Sequence, residues 1–427
     1  MLTTDTAVRQ QIIYQIFTRN YPGGGTFAAV EKDLGRIKAL GADWIYLLPV
    51  QPSGKEGRKG SVGSPYAISD YRVTDPCQGT TEEFISLTRA AHKIGLKVMI
   101  DVVYNHTSPD SVLAKTHPEW FFQRDGKPAG HHPEWSDVVD LDYTQKDLWA
   151  YQIETLCQWA KYVDGFRCDV APLVPLEFWL MAREAVEKVR PGCLWLAESV
   201  EPEFIRRNRS KGVHALSDGE LYGAFDILYD YDVYHTQLKC MTGEIAPEVY
   251  TSLIERQEGI YPENYSKLRC LENHDRLRAA GLLGTGKALL NWTAWMFFLK
   301  GTPMLYAGQE FGVKHLPSLF EPDPVSFETG TDLTPFFKKL IEMKKQPVFK
   351  DGAFSVAAAG PKGDVLQAVQ EDLEGRRACG FFSLTGEPRA MRVSLKDGFY
   401  TDFLSGKACE VRHGMLLTEG EPLVFLS

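Results

Sequence analysis

Two acidic residues, and the arginine just ahead of one of them, carry the first chemical signal in this sequence. Asp169 stands in GFRCDVA and Glu198 in AES, about 30 residues apart, which is close to one strand-plus-helix unit of a roughly 250-residue (β/α)8 barrel. That spacing would bring two carboxylates to the same rim of adjacent strands. Such a pair can cleave a glycosidic bond. One carboxylate attacks or stabilises an oxocarbenium-like centre, the other gives its proton to the departing oxygen, and a separation of about 5–5.5 Å admits a covalent intermediate. Arg167 precedes Asp169 by two positions, so on an extended strand it faces the same side and would hold that carboxylate ionised. Glu198 must instead keep its proton near neutrality, which calls for a drier or more acidic setting.

Two more polar clusters sit at the ends of apolar runs: DVVYNH, from Asp101 to His106, and ENHDRLR, from Glu272 to Arg278. A charge there is expensive to bury unless it is paired or put to use, so four such clusters together mark a site. Each also has a bland reading. An acidic residue at a strand end is most often a cap or a surface ion pair, and a lone His106 or His274 is most often a hydrogen-bonded structural histidine.

The elements that must position these groups are legible as alternation. Short runs rich in branched and aromatic residues, at 12–17, 44–50, 98–103, 165–171, 194–199, 225–229, 268–272 and 303–307, read as buried parallel strands. Between the first two, Val30, Leu34, Ile37 and Leu40 fall at helical spacing behind Thr26, and Gly41 follows as a C-cap; Thr80 and Glu83 form a capping box before the next helix. Eight alternating units predict a (β/α)8 TIM barrel, whose reactive groups belong where the strands end. The distance between Asp101 and Asp169 is about twice that of one βα unit, so residues 107–142 are expected to form an inserted loop-rich subdomain after strand 3. The barrel would then occupy 1–106 and 143–346. Short alternating runs beyond it predict a C-terminal antiparallel β-sandwich domain over 347–427.

The four clusters, in this order, resemble the four sequence regions of the α-amylase family of glycoside hydrolases, and the resemblance extends from about residue 13 to 311. It implies that Asp169 is the nucleophile, Arg167 its companion, Glu198 the acid/base, and Asp275 the third carboxylate, which grips sugar hydroxyls. It implies that His106 and His274 hold the sugar before the cleaved bond, that Tyr66 in GSPYAISDY stacks beneath it, and that Asp101 supports the site. Arg278 falls where some members carry a substrate-side arginine. VVDLDY around Asp140 is similar to the motif that ends the family's inserted subdomain. Where many members follow the nucleophile with Lys-His, this chain has Pro172 and Leu173, which alters the leaving-group side. Asn105 matches a family calcium ligand, but the short insert offers no clear set of the six to eight oxygens calcium prefers. No cofactor is required by this reading.

The resemblance implies retaining hydrolysis of α-1,4-linked glucans or maltooligosaccharides. A 4-α-glucanotransferase, or a glucosidase for α-1,6 links or disaccharides, would carry the same catalytic residues, whereas a noncatalytic relative would have no need of all three carboxylates. Composition narrows the rest. With 47 basic and 56 acidic residues the net charge is -9, which disfavours nucleic acid and anionic membrane surfaces as partners. The eight cysteines show no CxxC or zinc-like spacing, and the first residues lack a basic-then-apolar leader, so a reducing, cytoplasmic setting is expected. GLLGTGK at 281–287 nearly fits a phosphate loop, but Ala288 follows where a Ser or Thr hydroxyl is needed. Adjacent His131 and His132 in HHPEW should diverge on a loop and so make a poor metal pair.

Overall fold

Apolar runs of three to six residues become strands where both faces are covered, and in the computed structural model, which describes residues 4–360 and 362–427, eight of them run parallel and close into a barrel. They are β1 (Ile13–Ile16), β2 (Trp44–Leu47), β3 (Lys97–Val102), β4 (Gly165–Cys168), β5 (Leu194–Ala197), β6 (Ile227–Tyr229), β7 (Lys267–Arg269) and β8 (Thr302–Tyr306). Around the barrel the order is β1-β8-β7-β6-β5-β4-β3-β2.

The crossovers are helices with identifiable start and stop signals. Helix α1 (Phe27–Leu40) begins where the Thr26 side chain accepts a hydrogen bond from the Ala29 N–H and ends at Gly41, whose φ of 110° is left-handed. Helix α2 (Thr81–Lys93) opens with the reciprocal Thr80–Glu83 capping box. The remaining long helices are α3 (Lys146–Trp159), α4 (Leu176–Glu187), α5 (Pro202–Ser210), α6 (Pro247–Ile260), α7 (Lys287–Phe298) and α8 (Thr334–Lys344). Phe27, Phe84 and Trp159, one from each of α1, α2 and α3, meet edge to face at 5.5 and 5.6 Å, which locks the outer layer over β2 and β3.

Between β3 and α3 the chain forms short pairings, His106–Thr107 with Val139–Asp140 and Gln123–Arg124 with Lys127–Pro128, and short helical turns at Val112–Thr116 and Pro118–Trp120. This is the inserted, loop-rich segment. Beyond α8 the pattern becomes antiparallel. Strands β9 (Ala353–Ala359), β10 (Val365–Glu371), β11 (Arg377–Ser383) and β16 (Leu423–Leu426) form one sheet in the order β9-β10-β11-β16. A second sheet comprises β12 (Arg389–Arg392), β13 (Gly398–Thr401), β14 (Ala408–Arg412) and β15 (Met415–Thr418), in the order β12-β15-β14-β13. Val365, Phe381 and Phe425 of the first sheet share one apolar core with Met391, Val411 and Leu416 of the second.

Contact density resolves two compact units. One contains Ile13–Tyr229 with Leu316–Ser326; the other contains Asp230–His315 with Phe327–Ser427 and the N-terminal stretch up to Ile12. In the second, Lys287 of the GLLGTGK stretch directs its ammonium to the Glu419 carbonyl at 2.7 Å and the Glu421 carboxylate at 2.9 Å. That stretch begins inside the Ala279–Leu283 helix and ends on the first residue of α7, so a helix and not a strand leads into it. Among the described residues no helix is long and apolar enough to cross a membrane.

Gly165 opens β4 at a point with no room for a side chain. A Cβ there would stand 2.9 Å from the Leu194 carbonyl oxygen and 3.2 Å from both the Met99 and Trp44 side chains. Gly165→Ala is therefore expected to lower stability by about 1–3 kcal/mol, read as the midpoint of thermal or urea unfolding. A midpoint equal to that of the parent would mean that β4 and β5 are not seated this closely.

Candidate active site

Strand register brings the first group of polar side chains together. Asp101 on β3 is the direct partner of Arg167 on β4, and Arg167 in turn lies beside Leu196 on β5. The ladder continues past the strand ends: the Asp169 N–H donates to the Val102 carbonyl, and the Glu198 N–H to the Cys168 carbonyl, both at 3.0 Å. Asp169 and Glu198 thus leave adjacent strands at the same end. One guanidinium serves them both. Arg167 Nη1 donates to Asp101 Oδ1 at 2.8 Å and to Asp169 Oδ1 at 2.8 Å, while Nη2 stands 3.0 Å from Glu198 Oε1. Two carboxylates that touch one guanidinium are near neighbours, as a dyad acting on a single bond must be.

Burial makes this cluster electrostatically tense. The Asp101 and Arg167 side chains are fully buried, and those of Asp169 and Glu198 retain 9% and 11% exposure. Burial opposes the charge on Arg167, but Asp101 and then Glu198 outweigh it and hold the guanidinium firmly protonated. Three carboxylates against one cation leave excess negative charge in a dry place. At Asp169, burial first and the Glu198 charge second raise the carboxyl well above the usual carboxylate range, with Arg167 opposing them. Asp169 therefore holds a proton more readily than an isolated acid would, and the site favours positive charge developing at a bound ligand.

Two hydroxyls fix Asp101 from above. Tyr46 Oη donates to Asp101 Oδ2 at 2.7 Å and Tyr66 Oη to the same oxygen at 3.0 Å. The half-buried Tyr66 ring and the buried Tyr229 ring lie 5.6 and 5.4 Å from the guanidinium carbon, so Arg167 is enclosed by aromatic faces as well as acids. His106 comes from the start of the insert. Its Nε2 is 3.8 Å from Asp169 Oδ2, and burial depresses its pKa to about 4, so the ring is neutral around pH 7. The Asn105 amide nitrogen lies 3.2 Å from His106 Nδ1, which leaves Nε2 as the protonated nitrogen facing the acid.

The same segment tests the calcium expectation. Asp140 Oδ2 accepts from both the backbone N–H and the Nδ1 of His131 at 2.7 Å, and Asp137 is neutralised by Lys59 at 2.8 Å. The Asn105 amide is turned to His106. Asp140 Oδ1 is buried without a hydrogen bond among the described residues, a need that one water could meet. Among those residues no three His, Cys, Asp or Glu side chains are gathered as metal ligands. The residues present do not fit calcium, because the Lys59 ammonium and the His131 ring already occupy the carboxylates that would bind it. As expected, His131 and His132 diverge: the second packs on Phe204 and Trp135 instead.

The second unit holds the remaining expected residues. After β7, His274 is buried and its Nε2 lies 3.0 Å from Asp275 Oδ2, with the Asp275 side chain 36% exposed. Asn273 braces the turn, accepting the Asp275 N–H and donating to Tyr231 Oη.

Arg278 is a correction. Its side chain is wholly buried, and its nitrogens donate to Glu272 Oε1 at 2.7 Å, the Ala307 carbonyl at 3.0 Å and the His315 carbonyl at 3.2 Å, so it braces the loop rather than reaching a sugar. Asp101 and Arg167, expected to support the site, have fully buried side chains paired with each other, and Arg167 reaches both outer carboxylates. Glu272 was marked only as the start of its cluster, and Tyr46 and Tyr229 were not singled out in the sequence. The two tyrosines sit within apolar strand runs, where an aromatic with a hydroxyl is indistinguishable from a core position until register is known.

The raised proton affinity of Asp169 has a stability consequence. A carboxyl whose pKa is higher in the folded chain contributes most when protonated, and that contribution is lost as pH rises through the raised value. Asp169→Asn, which leaves Arg167 its hydrogen bonds to Asp101 and its ion pair with Glu198, is therefore expected to raise the unfolding temperature by about 2–4 °C at pH 7 and to give no gain below pH 3.8. Differential scanning calorimetry across that range decides it, and a variant less stable at pH 7 would contradict the assignment.

Comparison with known proteins agrees with this geometry. Residues 8–347 match the profile described as the α-amylase catalytic domain, and residues 361–425 that of the bacterial α-amylase C-terminal domain. The crystal structure of an α-amylase from Lactobacillus plantarum is 44% identical and superposes with a TM-score of 0.96, over 99% of this chain and 100% of that one. The noncanonic maltogenic α-amylase AmyB from Thermotoga neapolitana is 32% identical, with a TM-score of 0.87 over 98% and 99% of the two chains. Among curated proteins, the α-amylase MalA of Haloarcula japonica is 28% identical over 70% of this chain. The α-1,4-glucan:maltose-1-phosphate maltosyltransferase of Myxococcus xanthus is 33% identical over 44% of it. The chain spans 44% and 32% of the lengths of those two relatives. A catalytic-domain match over residues 8–347, together with near-complete superposition on an α-amylase, establishes that this chain belongs to the α-amylase family.

Proposed function

We propose that this chain hydrolyses α-1,4-linked glucans or maltooligosaccharides by double displacement, with retention of anomeric configuration. The observation that carries this reading is the placement of Asp169 and Glu198 at the ends of adjacent strands, on one guanidinium. Asp169 attacks the anomeric carbon as Glu198 protonates the departing oxygen; Glu198, now ionised, then takes a proton from the water that releases the sugar. The excess negative charge of the cluster favours the oxocarbenium-like transition state over the neutral ground state, which is the condition for acceleration. Neutral His106 donates a hydrogen bond to a sugar hydroxyl and Tyr66 lies under the ring; the family resemblance gives His274 and Asp275, the most exposed of the acids, the holding of further hydroxyls as the ring distorts. The substrate is taken to be imported or stored maltodextrin in the cytoplasm, a setting supported by eight cysteines that are all free thiols.

A second reading is favoured by the maltosyltransferases among the relatives. The same covalent intermediate can be intercepted by a sugar hydroxyl, and Pro172 and Leu173 line the loop after the nucleophile with apolar surface instead of a lysine and a histidine.

Incubation with maltoheptaose, followed by NMR of the first product, separates these readings. Hydrolysis with retention releases the α-anomer, transfer gives products longer than the substrate, and initial release of the β-anomer overturns the mechanism. Asp169→Asn and Glu198→Gln are each expected to lower kcat by about 10³-fold or more. Full activity in Asp169→Asn would remove it as the nucleophile.

A further inference from the structure

The turn that carries Asp169 out of the barrel contains a conformational outlier. Val170 has φ 34° and ψ 45°, in the left-handed region. Among the described residues the other non-glycine positions with positive φ are Asp125 and His413, each followed by a glycine in a tight hairpin. A buried, β-branched residue has no such excuse, and conformations of this kind persist only where the surroundings over-determine them. Three interactions do so here. The Val170 side chain is packed into an apolar cluster of Leu173, Val200, Ile205 and Ala215, flanked by Trp135 and Phe204. Its carbonyl accepts the Leu173 N–H at 3.0 Å. Its own N–H donates to Glu198 Oε2 at 2.8 Å.

The last of these matters most for chemistry. The Asp169 N–H is committed to the Val102 carbonyl, so the chain must reverse sharply at the next residue for any amide to face Glu198. The left-handed turn does this. It also divides the labour between the two oxygens of Glu198. Oε2 is tied to the backbone. Oε1 lies 3.0 Å from Arg167 Nη2, yet that nitrogen makes no hydrogen bond among the described residues, so the contact is charge without a directed bond.

We infer that Val170 is a positioning residue: its left-handed backbone fixes Glu198 through Oε2 and leaves Oε1 as the atom that delivers the proton. This rests on the proposed glycosidase reading. In the first step the bond from the anomeric carbon to the leaving oxygen breaks, that oxygen takes the proton of Oε1, and Asp169 bonds to the carbon. In the second, water bonds to the carbon, its proton returns to Oε1, and the Asp169 ester is released. The apolar cluster has a role in this account. Trp135 belongs to the insert and Phe204 to α5, so both hold the strained turn in place and with it the direction of Glu198.

An amide-to-ester exchange at Val170, with the α-hydroxy analogue of valine placed by nonsense suppression, deletes the N–H and little else. With maltoheptaose as substrate, kcat is expected to fall about 10-fold or more while KM stays within about twofold. The basic limb of the kcat/KM profile should move up by about one pH unit, because Glu198 loses a donor that favours its ionised form. The same exchange at Val174, whose N–H donates to the Ala171 carbonyl in the same turn, is expected to lower stability and leave the limb in place. Equal movement of the limb in both esters, or none at Val170, overturns the inference. A measurement on the unmodified backbone guards against misfolding of the esters. The 15N–1H signal of Val170 should titrate with the carboxyl of Glu198, and that component should vanish in Glu198→Gln; a signal that ignores Glu198 also overturns it. This arm needs no substrate, so an enzyme inert toward glucans would sink the functional reading without touching it.

Discussion

The guanidinium of Arg167 is the point on which the site is built. It is fully buried, and three carboxylates approach it: Asp101 from β3, Asp169 from the end of its own strand, and Glu198 from the end of β5. A lone cation in such a place would be untenable, and so would any one of the acids. Together they are held, but with more negative than positive charge. That imbalance is the useful part. It keeps a proton near the two outer acids and makes the site most comfortable when a positive centre forms between them. The barrel exists, from this point of view, to bring three strands close enough for one side chain to reach all three acids.

Around that centre, polarity is handled by the chain itself. Tyr46 and Tyr66 complete the hydrogen bonding of Asp101, and Tyr229 covers the guanidinium from another side. His106 is kept neutral by burial, so it can donate to a ligand without adding a charge that would cancel the field of the acids. The insert that carries His106 is held by internal pairs, the Lys59 ammonium on Asp137 and the His131 ring on Asp140. In this region a metal would compete with groups already in place. The strained turn at Val170 belongs to the same economy of means, since one outlier residue both ends β4 and aims an amide at Glu198.

Much of the frame was readable in one dimension. Alternating apolar runs and capped amphipathic segments announced eight βα units, and the Thr26, Gly41 and Thr80–Glu83 signals lie where helices begin or end. The change to period-two patterning announced the antiparallel sheets. The acids at strand ends were visible because polar residues interrupt apolar runs there. What could not be read was which of them face a ligand. Arg278 looked like a sugar contact by its position after NHD, yet its guanidinium is enclosed by Glu272 and two carbonyls. Tyr46 looked like any aromatic in a buried strand, yet its hydroxyl holds Asp101.

The division has a physical cause. Period, capping and the cost of burying charge are local properties, so the sequence by itself determined the order of strands and helices, the length of the insert, and the list of acids that needed partners. Partner choice depends on register between strands far apart in the chain and on which side of a turn an amide faces. Only the tertiary structure decided that Arg167 is shared among three acids, that His131 meets Asp140, and that Val170 bends backward toward Glu198. Hydrogen bonds are directional over a few ångströms, and residues that are remote in sequence come within that range only once the barrel has closed.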